Sequence, residues 1–145
     1  MVIGYTTGVY DLFHVGHLNL LRNAKGMCDK LIVGVTTDEL MFEYKKKKAI
    51  IPFFERCEIL RAIKYVDAVI PQPTMDKMAA WERLRFDVVF VGDDWFQTQK
   101  WQQIESEFKE VGVRVVYFPY TKGISSTLLN SILEERRSSM GHQGG

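Results

Sequence analysis

The sequence predicts an α/β fold, a five-stranded parallel sheet with helices on both faces. Three observations predict it. Short apolar runs of strand length alternate with segments whose apolar residues recur at helical spacing. Runs such as KLIVGV at 30–35 and DVVFVG at 87–92 are almost continuously apolar, as strands covered on both faces should be. Glycines and prolines fall at the ends of these segments, where the chain must turn.

Taken in order, Val2–Thr7 reads as the first strand and Val15–Gly26 as an amphipathic helix carried by Leu18, Leu20, Leu21 and Ala24. Lys30–Val35 is a buried strand, after which Asp38 and Glu39 can open a short helix. Lys45–Lys48 is a basic run ending near Pro52, the pattern of a mobile loop. Phe54–Lys64 is helical, and Asp67–Ile70 is a third strand stopped by Pro71 and Pro73. Met75–Leu84 is a helix and Asp87–Gly92 a fourth strand. Gln97–Glu110 is a helix that Gly112 can end, Val113–Phe118 a fifth strand, and Ser125–Arg137 the last helix. Residues 1–137 read as one domain and 138–145, polar and glycine-rich, as a tail that frays.

Composition narrows the function. A net charge of +1 gives no case for bulk nucleic-acid binding. No run approaches the roughly 18 apolar residues of a membrane span, and the strand-like start shows no signal segment. Cys28 and Cys57 make neither a metal-ligand pair nor a disulfide framework, so they read as reduced thiols in a cytoplasmic protein.

In parallel sheets, ligands bind beyond the carboxyl ends of the strands, at the switch point of strand order. Three stretches fall at such ends: Gly8–His17 (GVYDLFHVGH), Gly92–Trp95 (GDDW) and Pro119–Thr127. In the first, Gly8 lets backbone approach a ligand closely. His14 and His17 share one face of a nascent helix, and Gly16 keeps that face open. The helix N-terminus adds unpaired N–H groups and partial positive charge, so the stretch favours an anion such as a polyphosphate. Such histidines can also cap the helix, pack, or bind a metal, although no third ligand of the usual kind stands nearby. Asp11 is placed to orient a histidine or a metal-bound phosphate. In the third stretch Ser125 and Ser126 can cap a second helix aimed at the same cavity.

GVYDLFHVGH resembles the H-x-G-H signature of the nucleotidyltransferase superfamily. GDDW and TKGISST at Thr121–Thr127 resemble the second and third motifs of its cytidylyltransferase branch. The similarity covers about residues 1–135 in order, and the spacing is most similar to that of bacterial glycerol-3-phosphate cytidylyltransferases. The resemblance implies a Rossmann-like domain that transfers CMP from CTP to a small phosphate monoester, with glycerol 3-phosphate first among the candidates. It implies catalytic roles for His14, His17, Asp11 and Lys47. It implies nucleotide contacts from Gly8, Val9, Tyr10, Gly16, Lys45, Gly92, Asp94, Trp95, Thr121, Gly123, Ile124, Ser125 and Ser126. Arg56, Lys64 and Asp67 correspond to acceptor- or phosphate-binding positions. Mg²⁺ as cofactor, a homodimer, and partners limited to CTP and a phosphorylated acceptor are implied in the same way, with no resident protein-held metal.

Two positions depart from the pattern. Tyr120 stands where an arginine is common, leaving Lys122 as a point charge in place of a planar fork. Val9 stands where a threonine is common. Three other readings stay open: adenylyl transfer from ATP, another polyol or amino-alcohol phosphate as acceptor, and a nucleotide-binding module without catalysis. Trp81 and Trp101 could shape an acceptor pocket or simply pack.

Overall fold

The computed structural model describes residues 1–92 and 99–118. Asp94, Trp95, Thr121, Gly123, Ile124, Ser125 and Ser126, the last expected helix and the tail lie outside them, as does Tyr120. The elements run β1 (Ile3–Gly8), α1 (Val15–Lys25), β2 (Lys30–Thr36), α2 (Asp38–Lys45), α3 (Phe53–Arg61), β3 (Ala68–Gln72), α4 (Lys77–Leu84), β4 (Val88–Gly92), α5 (Gln99–Glu110) and β5 (Arg114–Phe118).

All strands pair in parallel, in the order β3-β2-β1-β4-β5. The chain builds outward from β1 to β3, then crosses back to place β4 on the other side of β1. That reversal opens a crevice beyond the carboxyl ends of β1 and β4, where Gly8 and Gly92 terminate their strands.

Alternation along the strands sorts the core into two layers. Leu31, Val33, Val35, Val88 and Phe90 pack with Leu21 and Ala24 of α1 and Cys57 and Leu60 of α3. Tyr5, Ile32, Val89 and Val91 pack with Trp81 of α4 and Trp101 and Phe108 of α5. Both tryptophans thus serve the core. Successive residues of a strand enter opposite layers, so the near-continuous burial along β2 and β4 is what covering both faces requires.

An aspartate stands immediately before each of β2, β3 and β4, and each pins a neighbouring strand at the amino edge. Asp29 accepts the Val2 N–H at 2.6 Å, Asp67 the Leu31 N–H at 2.7 Å and Asp87 the Ile3 N–H at 2.8 Å. A one-residue slip would break these bonds and turn every side chain to the wrong layer.

Several expected boundaries moved, such as the end of the third helix from Lys64 to Arg61, and two of the shifts have a plain cause. The third strand does not stop at Pro71 but runs through it to Gln72. It is an edge strand, and the Gln72 carbonyl faces β2, accepting the Thr37 N–H at 3.2 Å, so the nitrogen of Pro71 faces outward. The fourth helix starts at Lys77 rather than Met75, because Asp76 caps it by accepting the Ala79 N–H at 3.1 Å. α5 ends as expected: Gly112, at φ +82°, closes a Schellman turn in which the Val113 N–H reaches the Phe108 carbonyl at 2.9 Å.

Gly34 has no room for a side chain. A Cβ there would lie 2.5 Å from the hydroxyl of Tyr5, whose ring is stacked on Phe86 at 4.8 Å and cannot swing away. Gly34→Ala should lower stability by about 1–3 kcal/mol. Urea unfolding should show this as a lower midpoint at unchanged slope.

Candidate active site

The site begins with how the chain leaves β1. Tyr10 and Leu12 both sit in the left-handed region, at φ +56° and +51°. Non-glycine residues there cost roughly 1–2 kcal/mol each, so the surroundings must hold the turn in place. The Tyr10 ring folds back over Gly8, where a Cβ would be 3.0 Å from it, and is buried. Burial keeps its phenol well above the ordinary range. Tyr10, expected at the nucleotide, instead floors the site: its ring meets His17 edge-on at 5.4 Å, and Phe13 flanks the same imidazole at 5.3 Å.

The two histidines form a reciprocal cap on α1. The Gly16 N–H donates to His14 Nδ1 at 2.9 Å, and the His14 N–H donates to His17 Nδ1 at 3.2 Å. The rings lie 4.1 Å apart, centroid to centroid. An imidazole that accepts at Nδ1 while neutral carries its proton on Nε2. Both rings therefore present an Nε2–H donor. His14 Nε2 is buried and has no hydrogen-bond partner among the described residues.

Burial lowers the His14 pKa below its ordinary value. Burial, reinforced by the neighbouring His14 and opposed by Asp11, lowers that of His17 to about 4. At neutral pH the pair is thus two uncharged donors rather than two cations.

Asp11 is buried, and its two oxygens accept the N–H groups of Ile50 and Ile51 at 2.8 and 2.9 Å. It ties the histidine-bearing turn to the segment that follows Lys45–Lys48, an arrangement the expected orienting role did not foresee. Lys45 ends α2, and all four lysines are exposed.

Arg56 was expected at a phosphate. The structure buries it completely among main-chain acceptors. Its Nε donates to the Ile51 carbonyl at 2.9 Å, Nη1 to the Val9 and Thr36 carbonyls at 2.8 Å each, and Nη2 to Asp38 at 2.6 Å. Val9 thus contributes its carbonyl to this junction.

Lys64 and Asp67 are not brought to the crevice. They precede β3 and so lie at the amino edge, the opposite end of the sheet. Asp67 pairs with Lys25 as well as Leu31; against the upward push of burial, these partners hold its carboxyl below the ordinary range.

Sequence reading missed Lys77. It is buried at the first position of α4, and its ammonium donates to Thr7 Oγ1 at 2.7 Å, at the carboxyl edge of β1. The signal was available: a cation at a helix N-terminus opposes the helix dipole and needs another reason to be there. Beside it, Thr36 Oγ1 donates to buried Gln72 at 3.0 Å.

Two imidazole donors at a helix N-terminus beside the switch point of a parallel sheet, with a lysine-bearing segment tied to them through Asp11, make an α/β site suited to an anion. Residues 5–132 match the family described as cytidylyltransferase-like, and the chain belongs to that family of nucleotidyltransferases. It is similar to the glycerol-3-phosphate cytidylyltransferase of Bacillus subtilis strain 168, at 40% identity over 84% of this chain and 89% of the relative. It is also similar to the FAD synthase of Thermococcus kodakarensis, at 38% identity over 78% of this chain and 76% of that one. Among solved structures, a lipopolysaccharide core biosynthesis protein from Thermoplasma volcanium aligns with a TM-score of 0.69 at 25% identity, covering 86% of this chain and 99% of that one.

Protonating either ring at Nδ1 would remove the acceptor that caps α1. The folded state resists the proton and the unfolded chain does not, so stability falls as pH drops from about 6.5 toward 4. Urea midpoints measured across that window should decline. His17→Gln, whose amide oxygen can still accept the His14 N–H, should flatten the decline.

Proposed function

We propose that the protein transfers CMP from CTP to glycerol 3-phosphate, releasing pyrophosphate. The observation that carries this reading is the buried Nε2 of His14, without a hydrogen-bond partner among the described residues and set beside His17 at the start of α1. A buried donor with nothing to donate to costs about 1–3 kcal/mol, which an incoming phosphate oxygen would relieve. The 40% identity to a glycerol-3-phosphate cytidylyltransferase supports the choice of nucleotide and acceptor.

The chemistry asks little covalent work of the protein. The acceptor phosphate is largely dianionic at neutral pH, its second pKa being about 6, so its oxygen is already a nucleophile. That oxygen forms a bond to the α-phosphorus of CTP while the bond from that phosphorus to the bridging oxygen breaks. The electron pair leaves with pyrophosphate. His14 and His17 donate their Nε2–H groups to phosphate oxygens as charge builds, and being pre-set they need no reorganisation. Lys45 and Lys47 offset the charge moving onto pyrophosphate, and Lys77 offers a cationic donor toward the acceptor. Asp94, Trp95 and the Thr121–Ser126 stretch complete the nucleotide side.

Among the described residues no three His, Cys, Asp or Glu side chains converge on one point. With both Asp11 oxygens holding main-chain N–H groups, the donor set fits an ion carried in by the triphosphate better than one caged by protein. Mg²⁺ bound in that way supplies positive charge to the phosphates. No described helix is long and apolar enough to cross a membrane. The free Cys28 and Cys57 suit the cytoplasm, and the working unit is a homodimer in this reading.

Adenylyl transfer from ATP is the second reading, supported by the similarity to an FAD synthase, since FAD contains an adenylyl group. Pyrophosphate release, measured for four nucleoside triphosphates against a panel of phosphate monoesters, separates the two. Release with CTP and glycerol 3-phosphate is the expected result; release with ATP alone would replace it with the second reading. His14→Ala and His17→Ala should each cut turnover by at least about 10²-fold.

A further inference from the structure

Residues 37–52 leave the sheet after β2 and return beside their point of departure, carrying Lys45–Lys48. The neck of this excursion is closed by one set of bonds. Arg56 joins the Thr36 carbonyl on the outgoing side to the Ile51 carbonyl on the returning side. Asp38 joins the same two sides: one oxygen accepts from Arg56 Nη2 at 2.6 Å, the other from the Phe53 N–H at 3.1 Å. Arg56 also holds the Val9 carbonyl, and Asp11 holds the Ile50 and Ile51 N–H groups, so the closed neck is fastened to the histidine turn. Between Lys45 and the Ile50 anchor, the lysines are exposed.

We infer that Asp38, acting through Arg56, is a positioning residue for this reaction: closing the neck sets where the Lys45–Lys48 loop stands over the phosphates. The inference rests on the reading that Lys45 and Lys47 meet phosphate. Asp38 touches no reacting atom in it. A displacement of the loop by about 1 Å can cost on the order of 10²-fold in rate, so a latch remote from the chemistry can matter.

Asp38 is the residue to change, because its side chain is 43% exposed, whereas removing buried Arg56 would orphan three carbonyls. Asp38→Asn should lower kcat about tenfold or more, with the KM for the acceptor little changed, and Asp38→Glu should recover part of the loss. Trypsin cleavage after Lys45–Lys48 in the free protein should quicken by about tenfold while the global melting temperature stays within a few degrees. Unchanged cleavage would overturn the inference.

The decisive comparison adds Asp38→Asn to a Lys45→Ala, Lys47→Ala background. If Asp38 acts through the lysines, its effect on kcat disappears there. If the lysine changes lower turnover and the Asp38 effect persists in full, the latch is refuted and the phosphate reading stands. If the lysine changes leave turnover intact, the reading of the loop itself fails, and the latch with it.

Discussion

The turn between β1 and α1 holds a conformation its own residues resist. Two non-glycine residues in the left-handed region, Tyr10 and Leu12, would relax if released. Contacts from the 50–56 segment and from the core prevent that. The Arg56 guanidinium holds the Val9 carbonyl, the Asp11 carboxylate is clasped by the Ile50 and Ile51 amides, and the Tyr10 ring is buried in the α1–α3 layer. The same restraints that keep the turn strained keep two imidazoles 4.1 Å apart with their Nε2 donors set. Strain here is local, and its cost is spread over bonds that also serve the core.

The two edges of the sheet divide the labour. At the amino edge, aspartates 29, 67 and 87 act as acceptors for main-chain N–H groups and lock register. At the carboxyl edge Asp11 and Asp38 are taken up by main-chain N–H groups and Arg56, while the two imidazoles, the ammonium of Lys77 and the lysine loop bring donors. A parallel sheet makes this partition natural, because every strand enters at one edge and leaves at the other. It also places the start of α1 on the donor side, so backbone polarity and side-chain chemistry favour an anion in the same place.

Much of this was legible in the sequence, for physical reasons that differ by element. The strands were readable because burial on both faces leaves unbroken apolar runs. The histidine pair was readable from its spacing at a helix start, but for another reason than the expected shared helix face: His14 is the extended N-cap residue, and the two rings meet through a reciprocal cap. Asp67 was misplaced for want of one step of reasoning: a residue just before a parallel strand lies at the amino edge, away from the crevice. Arg56 was misread because a guanidinium that binds a phosphate and one that binds four main-chain or carboxylate oxygens look identical in a string of letters; only long-range packing tells them apart. The role of Asp11 was hidden likewise, since its partners are 39 and 40 residues away. Lys77 left a faint mark, a cation at the wrong end of a helix, outweighed by the louder basic run at 45–48.

Pro71 carries a consequence for assembly. It sits in the outermost strand on one side, with its nitrogen turned away from β2, so the outer rim of β3 lacks an N–H where an added strand would need one. A second chain cannot extend the sheet past this rim with an unbroken ladder. The interruption guards the rim against the open-ended strand addition that leads to fibres.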